Sequence, residues 1–143
     1  MPSTPASLWL RIAAGIYDLF PLVALWMLTS GLALLVAHGD VDLAHPSPGW
    51  RFGLRGALFI VTGAYLVISW ACGGQTIGMR AWRLRIVDAD GNALGWSRAA
   101  LRFVVACVSL LTVGIGFLWC LFDRRKRGWH DLAAGSVLVR LQK

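Results

Sequence analysis

The sequence contains no glutamate. All seven of its acidic residues are aspartates, against 14 lysines and arginines. It also has only three cysteines, Cys72, Cys107 and Cys120, and they form no CxxC pair. This argues against a metal or redox motif, so we expect free thiols in apolar surroundings. No Ser-His-Asp or Cys-His arrangement with a credible nucleophile is visible, nor is a phosphate-binding loop. We therefore expect neither an enzyme nor a bound cofactor or metal.

Apolar residues are what the sequence has in excess. They make up 57% of its 143 residues, above the roughly 45–50% of soluble proteins. They lie in three long runs, at about 8–37, 50–72 and 99–122. About 20 apolar residues suffice to cross the hydrocarbon core of a bilayer as a helix. The fold class that we predict is an all-α membrane protein with two transmembrane helices, in a single domain that covers residues 1–143.

Positive charges are distributed unevenly between the loops. Residues 38–50 contain no lysine or arginine, the loop at 73–98 contains four arginines, and the tail at 123–143 contains six cations. Because cytoplasmic loops of membrane proteins carry the excess of cations, we expect the N-terminus and the loop at 73–98 to be cytoplasmic. The predicted location is the bacterial cytoplasmic (inner) membrane. The cations flank apolar runs and form no binding surface, so we expect no nucleic-acid partner.

The third apolar run poses a topological conflict. A full crossing would place the cationic tail outside. Two strand-like runs, at 82–87 and 135–143, flank this segment, and they can pair only if they lie on the same side of the membrane. We therefore expect a small two-stranded β element on the cytoplasmic side and a re-entrant third run that bends near "GIG" at 114–116. A spanning third helix is the alternative.

The first run carries two ionisable residues. Arg11 and Asp18 are seven positions apart and so lie on nearly the same helix face. A charged side chain at the bilayer centre costs on the order of 2.5–3.5 kcal/mol on insertion scales, so Asp18 should face protein or water. Pro21 cannot donate to the carbonyl of Tyr17, and a carboxylate beside a freed carbonyl can bind a small cation or proton in a broken helix. The alternative is a structural ion pair of Asp18 with one of three cations, Arg11, Arg55 or Arg102.

Two polar segments follow the second and third runs. "GGQTIGMR" at 73–80 includes Gln75 and Thr76, and its plainest interpretation is a helix exit with polar caps. "WHDLAAG" at 129–135 includes His130 beside Asp131. Such a pair could move protons near neutral pH, but neighbouring residues point apart. We expect instead that Asp131 caps a short helix or pairs with a loop arginine, Arg80 or Arg98.

Lipid and other protein chains are the expected partners. Small residues at Gly49, Gly53 and Ala57 would let another helix approach closely, within or between subunits. The chain is too short to enclose a transport pathway alone, so that function would require a homo-oligomer or a membrane partner protein. Four consecutive cations predict contact with anionic lipid, at about 1 kcal/mol each: Arg124, Arg125, Lys126 and Arg127.

Together these motifs resemble the RDD family of small bacterial membrane proteins, named for an arginine and two aspartates. The resemblance covers nearly the whole chain through "RIAAGIYD", "GQTIGMRAWRLRIVDADG", "RAALRF" and "DRRKRGWHDLAAGSVLV". It implies that Arg11 and Asp18 are the family's arginine and first aspartate. Asp131 would be the second, with Asp123 as the alternative. Ser136 stands where the family often has threonine. The function that the resemblance implies is transport of unknown ligands, with sodium–proton antiport for some members.

The leading hypothesis is an integral inner-membrane protein that supports cation or proton transport as an oligomer or with partners. Asp18 would bind the ion or proton, together with Arg11 and Asp131. Five residues would support this site: Tyr17, Gln75, Thr76, Arg102 and His130. The alternative is a non-transporting membrane scaffold or assembly factor, in which Arg11, Asp18 and Asp131 form a structural ionic lock.

Overall fold

Two long helices dominate the computed structural model, which describes residues 3–38, 40–112, 115–123 and 127–141. They are α1 (Leu8–Val36) and α2 (Pro48–Gly73). The other elements are short: β1 (Ser3–Pro5), α3 (Ile77–Ala81), β2 (Leu84–Asp88), α4 (Trp96–Leu111), α5 (Ile115–Leu118), a 3-10 turn (Trp119–Leu121), α6 (Trp129–Ala133) and β3 (Ser136–Leu141). Both long helices are long and apolar enough to cross a membrane. This confirms the prediction of a mostly helical chain with two candidate spans.

Helix α1 runs without a break for 29 residues, about 44 Å, although Pro21 lies inside it. Proline removes one helical hydrogen bond. Membrane helices tolerate this loss where neighbouring groups satisfy the freed carbonyl. The expectation that Pro21 breaks the first helix next to Asp18 is therefore wrong.

Helices α1 and α2 form a hairpin that is held by a hydrogen bond between side chains. Trp26 Nε1 of α1 donates to Thr62 Oγ1 of α2 at 2.9 Å. Helix α2 begins after Ser47, whose hydroxyl accepts from the N–H of Trp50. Pro48 occupies its first position, where a helix does not need the missing N–H.

The chain turns sharply where α2 ends. Gly74 has a φ of 66°, in the left-handed region, and a Cβ there would lie 2.7 Å from the carbonyl oxygen of Ile86. The N–H of Ile86 donates to the carbonyl of Gly74 at 2.7 Å, and Gln75 Nε2 donates to the carbonyl of Leu84 at 2.6 Å. These bonds fix β2 beside the end of α2. Thr76 caps α3, so the prediction of a helix exit with polar caps is confirmed.

Three antiparallel strands form a small sheet in the order β1-β3-β2. Strand β2 pairs with β3 in a register that places Leu84 opposite Arg140 and Asp88 opposite Ser136. The predicted pairing of these two strands is confirmed. Strand β1 pairs with the other side of β3. It is absent from the sequence prediction, because a three-residue segment that includes a proline has no recognisable strand pattern.

The two described parts of the third apolar run, α4 and α5, lie close to each other. Helix α4 has 16 residues, about 24 Å. Gly116 of α5 lies so close to α4 and α6 that a Cβ would be 2.1 Å from Ser109 Oγ and 2.9 Å from Trp129 Cε3. Because β2 precedes the run and β3 follows it, the pairing of these strands brings its two ends to one sheet. Residue 114, at which the predicted bend begins, lies outside the described residues.

The main apolar core lies where the sheet meets the helices. It includes Ala14 of α1, Trp70 of α2, Ala99 of α4, and Leu84, Ile86 and Leu138 of the sheet.

Candidate functional site

Asp18 of α1 is 6% exposed, and its carboxylate accepts three hydrogen bonds. The Tyr65 hydroxyl of α2 donates to Oδ1 at 2.7 Å. The N–H of Gly78 in α3 donates to the same oxygen at 2.8 Å. The Thr76 hydroxyl donates to Oδ2 at 2.5 Å. One carboxylate therefore joins α1 to α2 and to the start of α3.

The backbone of α3 orients both of these hydroxyls. The N–H of Ile77 donates to the Tyr65 oxygen at 3.2 Å, and the N–H of Met79 donates to the Thr76 oxygen at 3.2 Å. A hydroxyl has a single proton. The hydroxyls of Tyr65 and Thr76 each accept a backbone hydrogen and donate their own proton to the carboxylate. The first N–H groups of α3 thus reach the carboxylate directly or through a hydroxyl.

Gly78 permits this close approach. A Cβ at that position would lie 2.1 Å from the carbonyl oxygen of Ala14 and 2.9 Å from Asp18 Cγ. Real Cβ atoms do not approach backbone oxygens so closely. A larger residue would therefore separate α3 from α1.

No arginine or lysine of the described residues lies within salt-bridge distance of Asp18. The predicted ion pair with Arg11, Arg55 or Arg102 is therefore wrong. Helical side chains lean toward the N-terminus, so Arg11 extends away from Asp18. Its guanidinium binds Asp131 instead, as does that of Arg102.

Asp131 of α6 is completely buried and lies between two guanidinium groups. Arg11 Nη1 of α1 donates to Oδ2 at 2.6 Å, and Arg102 Nη1 of α4 donates to Oδ1. Arg102 Nη1 also donates to the Ser136 hydroxyl of β3 at 2.8 Å. The N–H of Gly128 donates to Oδ2 at 3.0 Å, so Asp131 caps α6 as predicted.

The charges around Asp131 favour its ionised form. Burial by itself would raise the pKa of this carboxyl group, but the guanidinium groups of Arg102 and Arg11 outweigh burial and hold the pKa well below its usual range. The predicted pairing of Asp131 with Arg80 or Arg98 is wrong, because the guanidinium groups of two other arginines occupy both carboxylate oxygens.

His130 is buried beside this cluster. Its Nε2 lies 3.7 Å from Asp131 Oδ1, which is too long for a hydrogen bond. Burial, aided by the charge of Arg102, lowers the pKa of His130 to about 3. The imidazole is therefore neutral near pH 7, whereas a proton shuttle needs a group that changes charge there.

The structure divides the predicted site residues into two groups. Two predicted supporting residues belong to neither group. The ring of Tyr17 packs edge-on against Trp82, with the centroids 5.8 Å apart, and Gln75 donates to the backbone carbonyl of Leu84. The guanidinium of Arg102 lies 5.0 Å from the ring centroid of Trp70. The Asp18 site contains Asp18, Tyr65, Thr76 and Gly78, and the Asp131 site contains Asp131, Arg11, Arg102, Ser136 and His130.

Two members of the Asp18 site, Tyr65 and Gly78, are absent from the predicted site residues, although Gly78 lies in a motif that carries the family resemblance. A signal for Tyr65 exists, because tyrosine in membrane helices favours the two interfaces. A tyrosine well inside an apolar run therefore calls for a polar partner. Gly78 belongs to the "GQTIG" segment, but only the spatial contact with α1 explains why a glycine is needed.

The arrangement ties elements together, and within the described residues it contains no group of three or more His, Cys, Asp or Glu side chains that could hold a metal ion. The Asp18 site joins α1, α2 and α3. The Asp131 site joins α1, α4, α6 and β3.

Comparison with known proteins agrees with the motifs. The chain resembles an uncharacterized protein of Rickettsia prowazekii (strain Madrid E), with 28% identity over 82 residues. This alignment covers 57% of the chain and 45% of that relative, so the chain matches less than half of the relative's length. No solved structure matches the chain. A model described as the RDD family matches residues 5–135, nearly the whole sequence. The chain therefore belongs to the RDD family.

Proposed function

We propose that this chain is a non-transporting scaffold of the bacterial cytoplasmic membrane, in which Asp18 and Asp131 fix the packing of the spans, the sheet and the folded-back third run. One observation carries the proposal: groups of this chain donate to both oxygens of each carboxylate. An ion carrier needs lone pairs that a cation can reach. At the Asp18 site, the neighbouring hydroxyls direct protons to the carboxylate.

The proposal includes a membrane topology for the chain. Helices α1 and α2 cross the membrane, and the N-terminus, α3 and the sheet lie on the cytoplasmic side. The arginines of the loop at 73–98 support this orientation. Pairing of β2 with β3 supports a third run that enters the bilayer and returns to the same side. A full crossing would separate the two strands.

Contact with anionic lipid is part of the same proposal. Arg127 forms an ion pair with Asp123 at 3.0 Å, which anchors it at the exit of the third run. Arg124, Arg125 and Lys126 lie outside the described residues. The expected partners of the scaffold are a membrane protein or further copies of this chain.

Cation or proton transport by an oligomer is the second candidate. An ionisable residue inside a membrane span is by default a functional hypothesis. The observation in its favour is that the Tyr65 and Thr76 hydroxyl oxygens lie 2.7 and 2.5 Å from the Asp18 carboxylate. If both hydroxyls rotated, four oxygens could face one cation.

Reconstitution in liposomes separates the two candidates. Sodium- and potassium-driven proton flux would be measured for the wild type, Asp18→Asn and the control Asp90→Asn, whose residue is exposed in a turn. We expect no flux above that of protein-free liposomes in any of the three. Asp18→Asn should lose about 1–3 kcal/mol of unfolding free energy, because its amide directs hydrogens at groups that also donate.

The opposite pattern would support the transport candidate. Flux in the wild type that Asp18→Asn loses while its unfolding free energy stays at the wild-type value would reject the scaffold. Asp90→Asn should match the wild type in both measurements, since its side chain contributes to neither site.

A further inference from the structure

We infer that this protein is wedge-shaped within the bilayer and that it fits a bilayer that is convex on its cytoplasmic side. The inference rests on the topology proposed above. It concerns the described parts of the third run, residues 96–112 and 115–121, which we call the insert. The insert adds apolar volume to the cytoplasmic half of the membrane alone.

The exposed surface of the insert is polar at its ends and apolar between them. Ser97 and Arg98 are exposed in the first turn of α4, and the ion pair of Asp123 with Arg127 follows the insert. Between them, exposed apolar side chains succeed one another: Leu101, Val104, Val108, Leu110, Leu111, Ile115, Leu118 and Leu121. Polar ends and an apolar middle are the pattern expected of a segment that enters lipid and leaves it again.

The Asp131 site fixes the level of the insert relative to α1. Arg102 of the insert and Arg11 in the first turn of α1 bind the same carboxylate. The second turn of α4, which contains Arg102, therefore lies level with the cytoplasmic end of α1. Leu111 follows nine positions after Arg102, so α4 extends at most about 14 Å from that level. This is roughly half of the 30 Å hydrocarbon core.

The described contacts show where the insert packs against α2. A Cβ at Gly63 would lie 3.0 Å from the ring of Phe103 in α4, and the ring centroids of Phe59 and Phe103 lie 5.4 Å apart. Toward the start of α2, nothing lies within 4 Å of the position that a Cβ would occupy at Gly49, Gly53 or Gly56. Helix α4 therefore packs against the middle of α2, and the three glycines near the start of α2 do not contact it.

The leaflets consequently hold different amounts of protein. Helices α1 and α2 pass through both, while α4, roughly 10 Å across, and the single turn of α5 add to one. Apolar segments that insert into a single leaflet bind in a curvature-sensitive way. The leaflet that holds the insert favours the convex side, where the headgroups are spread further apart.

The orientation of the full-length protein in phosphatidylcholine vesicles tests the wedge. Neutral lipid removes the charge-driven preference for one orientation. A protease-cleavable C-terminal tag reports which side the sheet faces. We expect the outward-facing fraction to shift upward from large extruded vesicles to small sonicated ones, because the outer leaflet of a small vesicle is strongly convex. Equal fractions in both would overturn the inference.

Leu111→Arg places a charge at the deep, 84% exposed end of α4 and should abolish the shift by expelling the insert from lipid. Leu43→Arg, in the exposed loop between the spans, is the matched control and should keep the wild-type shift. Thermal unfolding should show that both variants fold, since neither residue is buried. A wild-type shift in Leu111→Arg would also overturn the inference.

A second protease site in the exposed turn at Gly91 separates the wedge from the topology on which it rests. Cleavage of both sites from one side, without a dependence on vesicle size, rejects the wedge alone. Cleavage from opposite sides rejects the re-entrant topology and the wedge together. The flux measurement is independent of both results.

Discussion

The two buried aspartates receive hydrogen bonds from different kinds of donor. Asp18 is held by two hydroxyls and a backbone N–H. Asp131 is held by two guanidinium groups and a backbone N–H. The first carboxylate lies within a candidate span, and the second lies beside the sheet. Neutral groups thus donate to the carboxylate inside the apolar helix α1, and charged guanidinium groups donate to the carboxylate near the end of that helix.

This difference indicates which substitutions should destabilise each site. A buried ion pair adds little net stability, but removing one partner leaves a buried charge uncompensated. A carboxylate held by neutral donors depends on individual hydrogen bonds, each of about 1.5–3 kcal/mol when one partner is charged. It depends more on shape, because its donors must approach closely. The two sites should therefore respond differently to substitution and to pH.

The largest effect is expected for Asp131→Asn. It leaves Arg11 and Arg102 buried without their shared anion and should cost about 3–5 kcal/mol of unfolding free energy. Chemical denaturation in detergent micelles measures this loss. The exposed Asp90→Asn variant is the control and should stay within about 0.5 kcal/mol of the wild type. A loss no larger than that of the control would show that the pair is dispensable.

Gly78→Ala tests the shape of the Asp18 site. The added methyl would lie 2.1 Å from the carbonyl oxygen of Ala14, so α3 must move away from α1, at a cost of about 1–3 kcal/mol. Gly53→Ala is the matched control, because nothing lies within 4 Å of its Cβ position. There alanine should be neutral or stabilise by up to about 1 kcal/mol. Equal unfolding midpoints for the two variants would refute the close approach.

We expect stability to depend on pH through the two titratable groups of the Asp131 site, His130 and Asp131. His130 has its pKa lowered to about 3, against roughly 6.5 in an unfolded chain. Neutral His130 contributes fully to the free energy of unfolding above pH 6.5. As the pH falls from there toward 3, the unfolded chain binds the proton first, so this contribution is lost by at most about 1.4 kcal/mol per pH unit. Asp131, whose pKa is also depressed, adds its loss only below about pH 4. Unfolding midpoints between pH 7 and 4.5 should thus fall with pH.

His130→Gln is the variant that isolates this slope. Glutamine does not titrate in this range, so the dependence between pH 7 and 4.5 should flatten. An unchanged slope would assign the dependence to another group. Lower overall stability of the variant at pH 7 does not affect the comparison, because only the slope is compared.

Tyr65→Phe should have the smallest effect. It removes one donor from Asp18 and the acceptor of the Ile77 N–H. We expect a loss of about 1.5 kcal/mol, the lower end for a hydrogen bond to a charged group, because two other donors to the carboxylate remain. Tyr17→Phe is the matched control, because the Tyr17 ring packs against Trp82 and its hydroxyl is not part of the site. The same loss in both variants would remove Tyr65 from the Asp18 site.

Local pattern was enough to predict several features. The apolar runs predicted α1 and α2, the strand-like runs predicted the pairing of β2 with β3, and the position of Asp131 predicted a helix cap. Each depends on residues close in sequence or on a simple periodicity. The predictions of partners failed, because Arg11 meets Asp131 across 120 positions and Asp18 meets Gly78 across 60. No local rule fixes such distances.

The error over Pro21 has a related cause. Its effect on the α1 backbone depends on what surrounds the helix, and the sequence around it contains only the local penalty. Similarly, the three residues of β1 become a strand only because the edge of β3 is available to them. Tertiary context overrides local propensity at both places.

The sequence by itself determined that this chain belongs in a membrane, that two helices can cross it, and that Asp18 must face protein or water rather than lipid. These follow from composition and from the cost of charge in lipid. Only the tertiary structure decided which cation meets which aspartate. That choice depends on side-chain direction and on the approach of distant elements, such as Gly78 against α1. Such contacts exist only once the helices and the sheet have packed.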